Sequence, residues 1–374
     1  MSLYEEIEAR RGLPLDEAKT LPGAWYADAA HHQLELEKVF RRHWVAVAAE
    51  ADVATAGTYL SVLVGGVTPV LLVRDEARTL RGFLNVCRHR SAPVAEGSGR
   101  CHALSCPYHG WVYRLDGSLA KCQGVGEPAG FERDAYGLFP VQTTTFAGFV
   151  LVNLDPAAAP FDPGTLVAGL AAYPLAELQR AERRTWEHAC NWKVLLENYS
   201  ENYHTPFIHP QLPAAGWDYP IVTNGLVSYA WDRPQLPTGE AEEALARSRP
   251  DADGWHAVGS AVRDDTYSVG SYLTLFPNLM LNVFPDSMQS LLMIPTGPTS
   301  TLVHRDFFWL ASVGPERRAE DIAGGSLVHE QDIAICEAVQ RSYSGGLSPE
   351  GVLSTVHESG VAFVHQVLLE ALAR

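Results

Sequence analysis

Two short segments constrain this chain more than any other feature: Cys87-Arg-His89 and, after sixteen intervening residues, Cys106-Pro-Tyr-His109. Each places one thiol and one imidazole in a single tight loop. The flanking runs, Phe83-Leu-Asn-Val and Gly110-Trp-Val-Tyr-Arg-Leu, have the β-branched and aromatic texture of short strands. Three explanations compete. Chance seldom delivers two such pairs in a β-rich frame. A zinc site also takes two Cys and two His, but its pairs usually group like with like. One Cys and one His per loop suits a two-iron cluster with thiolates on one iron and imidazoles on the other.

Composition narrows the setting. The chain has 374 residues, a formal charge of −16 and 47% hydrophobic residues, with 19% charged. That is enough apolar material for one large or two moderate cores and too little charge for a disordered chain. An acidic balance without a Lys/Arg run argues against nucleic acid or an anionic membrane as partner. The opening residues lack a basic segment followed by an apolar one, and Phe149–Leu154 is far short of a bilayer span. A cytoplasmic protein with reduced cysteines is therefore expected, and Cys101, Cys122, Cys190 and Cys336 read as buried thiols.

Along the chain, residues 1–40 carry helical periodicity, as in Leu36, Val39 and Phe40. Short β runs fill residues 57–155, and Asp116-Gly117 predicts a two-residue hairpin turn. A Pro-rich linker spans Ala157–Gly164, and 191–204 is periodic as a helix. Residues 266–310 form an antiparallel meander, and helices are expected near 316–343 and 358–373.

The segment Cys87-x-His89-x16-Cys106-x2-His109-Gly-Trp-x-Tyr113 resembles the signature of the Rieske non-haem iron (ring-hydroxylating) oxygenases. The resemblance extends over essentially the whole chain. It implies an α+β protein in which an all-β Rieske domain, 41–156, is inserted into a helix-grip catalytic domain made of segments 1–40 and 165–374. It implies a [2Fe–2S] cluster with Cys87 and Cys106 on one iron and His89 and His109 on the other. The extra cysteines that form a disulfide in high-potential relatives are absent here, where Pro93, Val94 and Tyr108 stand.

An oxygenase needs a second metal, and Glu201-Asn-Tyr-His204-Thr-Pro-Phe-Ile-His209 supplies candidate donors. Glu201 and His204 are spaced to share a helical face. His209 would lie about 140° further round an ideal helix, so the helix must end, and Pro206 allows it to. Either histidine alone would pass for a core residue. The resemblance implies that His204, His209 and Asp332 hold Fe(II) as a 2-His-1-carboxylate triad; Glu330 and Glu337 are neighbouring acids that could be mistaken for the third ligand. It further implies that Glu201 bridges His204 to His109 of an adjacent subunit in a head-to-tail homotrimer. Asn198 is a candidate cavity residue.

No G-x-G-x-x-G fingerprint is present, so electrons from NAD(P)H are expected through a separate reductase of flavin or ferredoxin type. The substrates are then O₂ and a small organic molecule. Glu at 201, where many members carry Asp, and the 271–285 meander resemble the carnitine, choline and glycine-betaine branch. A quaternary ammonium needs an aromatic cage, for which Trp217, Tyr219, Tyr267, Tyr272, Phe276 and Phe284 are candidates. A carboxylated substrate would want a cation such as Arg263 or Arg305. Two alternatives remain open: an aromatic ring or aromatic acid as substrate, and an electron-transfer Rieske protein without catalysis.

Overall fold

The computed structural model describes residues 3–126, 128–164, 167, 170, 171, 173–212, 221–231, 270–346 and 348–374. Contacts divide the chain into two compact units, Phe40–Phe161 and the remainder. No helix among the described residues is long and apolar enough to cross a membrane.

The unit 40–161 is built on β. Its larger sheet has the order β1-β10-β9-β4-β3-β2-β5, with β1 Val45–Ala49, β2 Thr58–Val64, β3 Thr68–Arg74, β4 Leu80–Leu84, β5 Ser98–Arg100, β9 Pro140–Phe146 and β10 Phe149–Asn153. A three-stranded sheet follows the order β6 Ala103–Ser105, β7 Val112–Arg114 and β8 Leu119–Lys121. Val, Leu and Phe at alternating positions fill the interior, where Leu71, Val73, Phe83, Trp111, Tyr113 and Leu115 share one cluster with Cys87 and Cys106. The hairpin at Asp116-Gly117 differs from the expected two-residue turn. The Arg114 and Ser118 backbones pair across a three-residue loop in which Gly117 alone has positive φ, 87°. A type I turn closed by a left-handed glycine produces this geometry, and Asp116 has no need of positive φ.

In the other unit the described strands form one antiparallel sheet, β11-β17-β16-β15-β14-β13-β12. These are β11 Gln179–His188, β12 Ile221–Asn224, β13 Val227–Trp231, β14 Ser271–Leu275, β15 Leu279–Val283, β16 Ser287–Gly297 and β17 Ser300–Trp309. The helices are α1 Leu3–Arg10, α2 Ala29–Glu35, α3 Trp192–Tyr199, α4 Thr205–Ile208, α5 Pro315–Ser344 and α6 Ser359–Ala373. Helix α3 touches β16 and lies against α5 and α6. Gly360 permits the last approach, because a Cβ there would sit 2.0 Å from the Ser200 carbonyl oxygen. Of the four remaining cysteines, Cys190 and Cys336 are buried as expected. Cys101 and Cys122 are only half-buried, because each lies at the margin of its core, packed against it from outside.

A buried histidine pair contributes to this unit's response to acid. His188, at the end of β11, and His329, on α5, have ring centroids 5.0 Å apart and are almost fully buried. Burial pulls His188 down to about 4 and His329 to about 2. Unfolded, each would titrate near 6.5, so between 6.5 and about 4 the unfolded chain binds a proton at His188 that the folded chain refuses. Stability therefore falls as pH drops through that window, by about 3 kcal/mol for His188. The melting temperature followed by tryptophan fluorescence should decline from pH 7 to 5, and less so in His188→Phe. An equally steep decline in both proteins would acquit His188.

Candidate active site

The first site lies in the unit 40–161, where the two loops share one backbone design. The amide of Cys87 donates to Ala92 O at 2.8 Å, and Ser91 N donates back to Cys87 O at 2.9 Å. Likewise Cys106 N donates to Trp111 O at 2.8 Å and Gly110 N to Cys106 O at 3.0 Å. The fourth residue after each cysteine is left-handed, Ser91 at φ 59° and Gly110 at φ 67°. This chain reversal leaves both cysteines buried and both histidines exposed. The Nδ1 atoms of His89 and His109 face each other at 3.1 Å, and Trp111 stacks on His89 with centroids 5.1 Å apart.

Several supporting groups make contacts that the sequence does not show. Asn85, fully buried, accepts from Val94 N and Ala95 N and donates to Ala95 O, closing the first loop. The Tyr113 hydroxyl accepts from Arg88 N at 3.0 Å and touches Cys87 Sγ at 3.3 Å. Arg88 is tied to Gly137 O and lies over the Phe139 ring. A polar residue two before the first cysteine and a tyrosine seven after the second are the only traces in sequence.

The donor set fits a mixed cluster. Burial pushes the Cys106 thiol up, and the adjacent Cys87 adds to the shift, so two ionised thiols here need a positive centre. Two imidazole nitrogens aimed at one another likewise need a proton or a metal between them. Cys87, Cys106, His89 and His109 are the residues that would hold a [2Fe–2S] cluster.

The second site lies in the other unit and begins with a helix that stops early. Asn191 caps α3 by accepting from Lys193 N, and the helix ends at Tyr199 rather than continuing to 204. Ser200 turns its hydroxyl back onto Leu196 O, a local bond that competes with further helix. Glu201 and His204 therefore do not share a helical face. They meet because the non-helical link folds the Glu201 carboxylate onto Tyr203 N, His204 N and His204 Nδ1. Pro206 also acts differently from expectation: it opens the single turn α4, and His204 and His209 stand at its two ends with ring centroids 5.2 Å apart.

Asp332, from the middle of α5, completes the group. Its Oδ1 lies 3.0 Å from His209 Nε2 and 3.5 Å from His204 Nε2, and the three donor atoms fall within 4.8 Å of one another. Both inner nitrogens are Nε2, because each Nδ1 is occupied from outside. Glu201 engages His204, while Gln331 Oε1 accepts from His209 Nδ1 at 2.8 Å and is itself fixed by Gln211 Nε2 at 2.7 Å. Such partners select the tautomer that leaves Nε2 free for a metal. Burial alone would lower His209, but Asp332 and Gln331 raise it above the ordinary range, a second sign that Nε2 seeks a positive partner. Two imidazoles and one carboxylate fit a facial-triad iron. Neither competing acid takes part: Glu330 is exposed, and Glu337 accepts from Ala189 N.

These residues border a cavity of about 170 Å³ whose other walls include Asn198, Tyr199, Tyr272, Thr274, Asn282 and Arg305. Asn198, the candidate cavity residue, is among these walls. Of the aromatic candidates, Tyr272 reaches the cavity. Phe276 is buried against Trp192, and Phe284 packs edge-on to Tyr272 outside the lining. Trp217, Tyr219, Tyr267 and Arg263 lie outside the described residues.

Residues 175–374 match the ring hydroxylating alpha subunit (catalytic domain) family, and residues 43–132 match the Rieske [2Fe-2S] domain. The chain is 29% identical over 373 residues to the carnitine monooxygenase oxygenase subunit of Escherichia coli (strain K12), covering 95% of this chain and 94% of that one. It is 28% identical over 381 residues to the chloroplastic choline monooxygenase of Beta vulgaris, covering 99% and 80%. A solved quaternary ammonium Rieske monooxygenase superposes with a TM-score of 0.79 at 25% identity, covering 96% of this chain and 98% of the other. The chain therefore belongs to the ring-hydroxylating alpha subunits, O₂-dependent oxidoreductases that join a Rieske [2Fe–2S] domain to a mononuclear-iron catalytic domain.

Proposed function

We propose that this chain is the terminal oxygenase of a multicomponent monooxygenase acting on a quaternary ammonium compound. The observation that carries the proposal is the cavity itself, in which His204, His209 and Asp332 stand beside the aromatic wall of Tyr272. An aromatic face attracts a cation that has lost its water. The carnitine and choline monooxygenases among its relatives point to the same class. When bound, the metals supply electron delivery and O₂ activation, and oxygen enters the substrate. The protein's own residues prepare for this. Glu201 and Gln331 orient the two imidazoles, Tyr272 and Asn198 border the substrate space, and Tyr199 holds Asn282 at 2.5 Å.

In this proposal Cys87, His89, Cys106 and His109 hold the cluster, and a separate reductase charges it with electrons from NAD(P)H. The chain works in the cytoplasm as a head-to-tail homotrimer, with neither membrane nor nucleic acid as partner. Glu201 then links His109 of a neighbouring subunit to His204. Iron analysis and product identification test the function: roughly three irons per chain, and oxidation of carnitine, betaine or choline in preference to aromatic acids. A protein that carries only cluster iron, or that oxidises aromatic acids alone, would refute it. For the bridge, Glu201→Gln should retain both metals and substrate binding while slowing transfer from cluster to mononuclear iron by about 10- to 100-fold. Wild-type speed in a single-turnover measurement would remove Glu201 from the path.

A further inference from the structure

Arg305 lies on β17 among side chains that alternate strictly between two faces. Its neighbour Asp306 points the other way, where Arg183 grips it at 2.6 and 2.7 Å and Arg180 approaches at 3.6 Å. That carboxylate is unavailable to Arg305. On its own face Arg305 is 4% exposed and borders the cavity beside Asp332. Its guanidinium donates to Gly325 O at 2.7 Å and to Gln289 Oε1 at 2.5 Å, both neutral acceptors. Its Nε has no hydrogen-bond partner, and among the described residues no carboxylate pairs with it. A buried guanidinium without a counter-charge is costly, and burial here pulls Arg305 down to about 10.

Asp332 offers Arg305 some electrostatic relief, but a bound divalent metal would claim that charge. With Fe(II), Asp332, Glu201 and Arg305 counted together, the cavity retains roughly one unit of positive charge. A substrate that is only a cation would add to it. A substrate that carries a carboxylate would neutralise Arg305 locally.

We infer that Arg305 is the carboxylate-binding residue of this cavity, so that the substrate carries a carboxylate as well as its quaternary ammonium group. The second half of the inference rests on the quaternary ammonium reading above; the first does not. Arg suits the task because its planar fork matches a carboxylate, and three of its five N–H groups are not committed to Gly325 or Gln289. Gly325 keeps the fork in place: a Cβ there would come within 3.0 Å of Arg305 Nη2 and 2.7 Å of Gln289 Oε1.

The test is calorimetric binding to the iron-loaded holoenzyme without O₂, comparing glycine betaine and L-carnitine with choline. Wild type should bind the carboxylated compounds at least about ten-fold more tightly than choline. Arg305→Gln should weaken them by about 10- to 100-fold while leaving choline within about three-fold, and Arg305→Lys should recover part of the loss. Iron content and visible spectrum serve as controls. Choline bound more tightly than its carboxylated counterparts by wild type would overturn the role of Arg305 and leave the quaternary ammonium reading intact. That comparison needs no variant. Equal losses for all ligands in Arg305→Gln would also overturn it, since a purely structural arginine would act on every ligand alike. Benzoate bound in an Arg305-dependent way, with no quaternary compound bound, would uphold the carboxylate site and overturn the ammonium reading.

Discussion

Asp332→Ala should yield a protein that keeps its cluster absorption yet loses its mononuclear iron and nearly all turnover. The loss should exceed the roughly 10- to 100-fold penalty of removing a partner that merely orients a ligand. The expectation follows from geometry. Asp332 Oδ1 is the point on which both Nε2 atoms converge, at 3.0 and 3.5 Å, and among the described residues no other acid joins that group. Without the carboxylate, two neutral imidazoles remain, a set with neither the charge nor the third donor of a facial triad. Glu330→Ala is the matched control, since the exposed Glu330 lies only two residues away on the same helix. Metal analysis together with the visible spectrum separates the outcomes. Normal iron content and turnover in Asp332→Ala would reduce Asp332 to an ordinary helix charge.

Lys193→Met should cost the catalytic unit about 3–5 kcal/mol, the range for leaving one member of a buried ion pair alone. Lys193 is fully buried on α3, and its ammonium donates to Glu35 Oε1 at 2.5 Å and Asn191 Oδ1 at 2.8 Å. Burial pulls Lys193 below its ordinary range, with Glu35 acting against the shift. The other oxygen of Glu35 accepts from Trp192 Nε1 at 2.8 Å, so Glu35 cannot turn away to find water when Lys193 is removed. A Glu35→Gln/Lys193→Met double variant removes both charges and should recover much of the loss. Urea unfolding followed by tryptophan fluorescence measures the difference. A Lys193→Met midpoint equal to wild type would mean that the pair adds nothing.

The consequence for function lies in where this pair sits. Glu35 belongs to the N-terminal segment, 158 residues before Lys193, and Asn191 caps the same helix that ends at the Glu201 link. The pair thus clamps the start of α3 against α2, fixing the helix whose far end leads into the iron-site candidates.

The sequence by itself determined a good deal. The two Cys/His pairs pointed to a mixed-ligand cluster because one thiol and one imidazole per tight loop suit it better than zinc, and adjacent donors need no knowledge of distant contacts. His204 and His209 stood out as candidate donors for the same reason, being local to one segment around Pro206. The alternation of Val, Leu and Phe located the strands, since burial on one sheet face imposes a period of two. Tertiary structure decided what adjacency cannot. Asp332 stood among Glu330 and Glu337 with no local mark beyond the family resemblance, and it is the fold that brings its carboxylate to His204 and His209. Glu201 reached His204 through a broken helix rather than along a continuous one, because α3 stops at Tyr199, where the Ser200 hydroxyl turns back onto Leu196 O and periodicity alone would carry the helix on. Gln331 and Tyr113 became partners only through contacts 122 and 26 residues apart. Arg305 and Asp306, adjacent and opposite in charge, look like a self-neutralising pair in sequence. Strand geometry sends them to opposite faces, and that separation leaves a cation at the cavity wall.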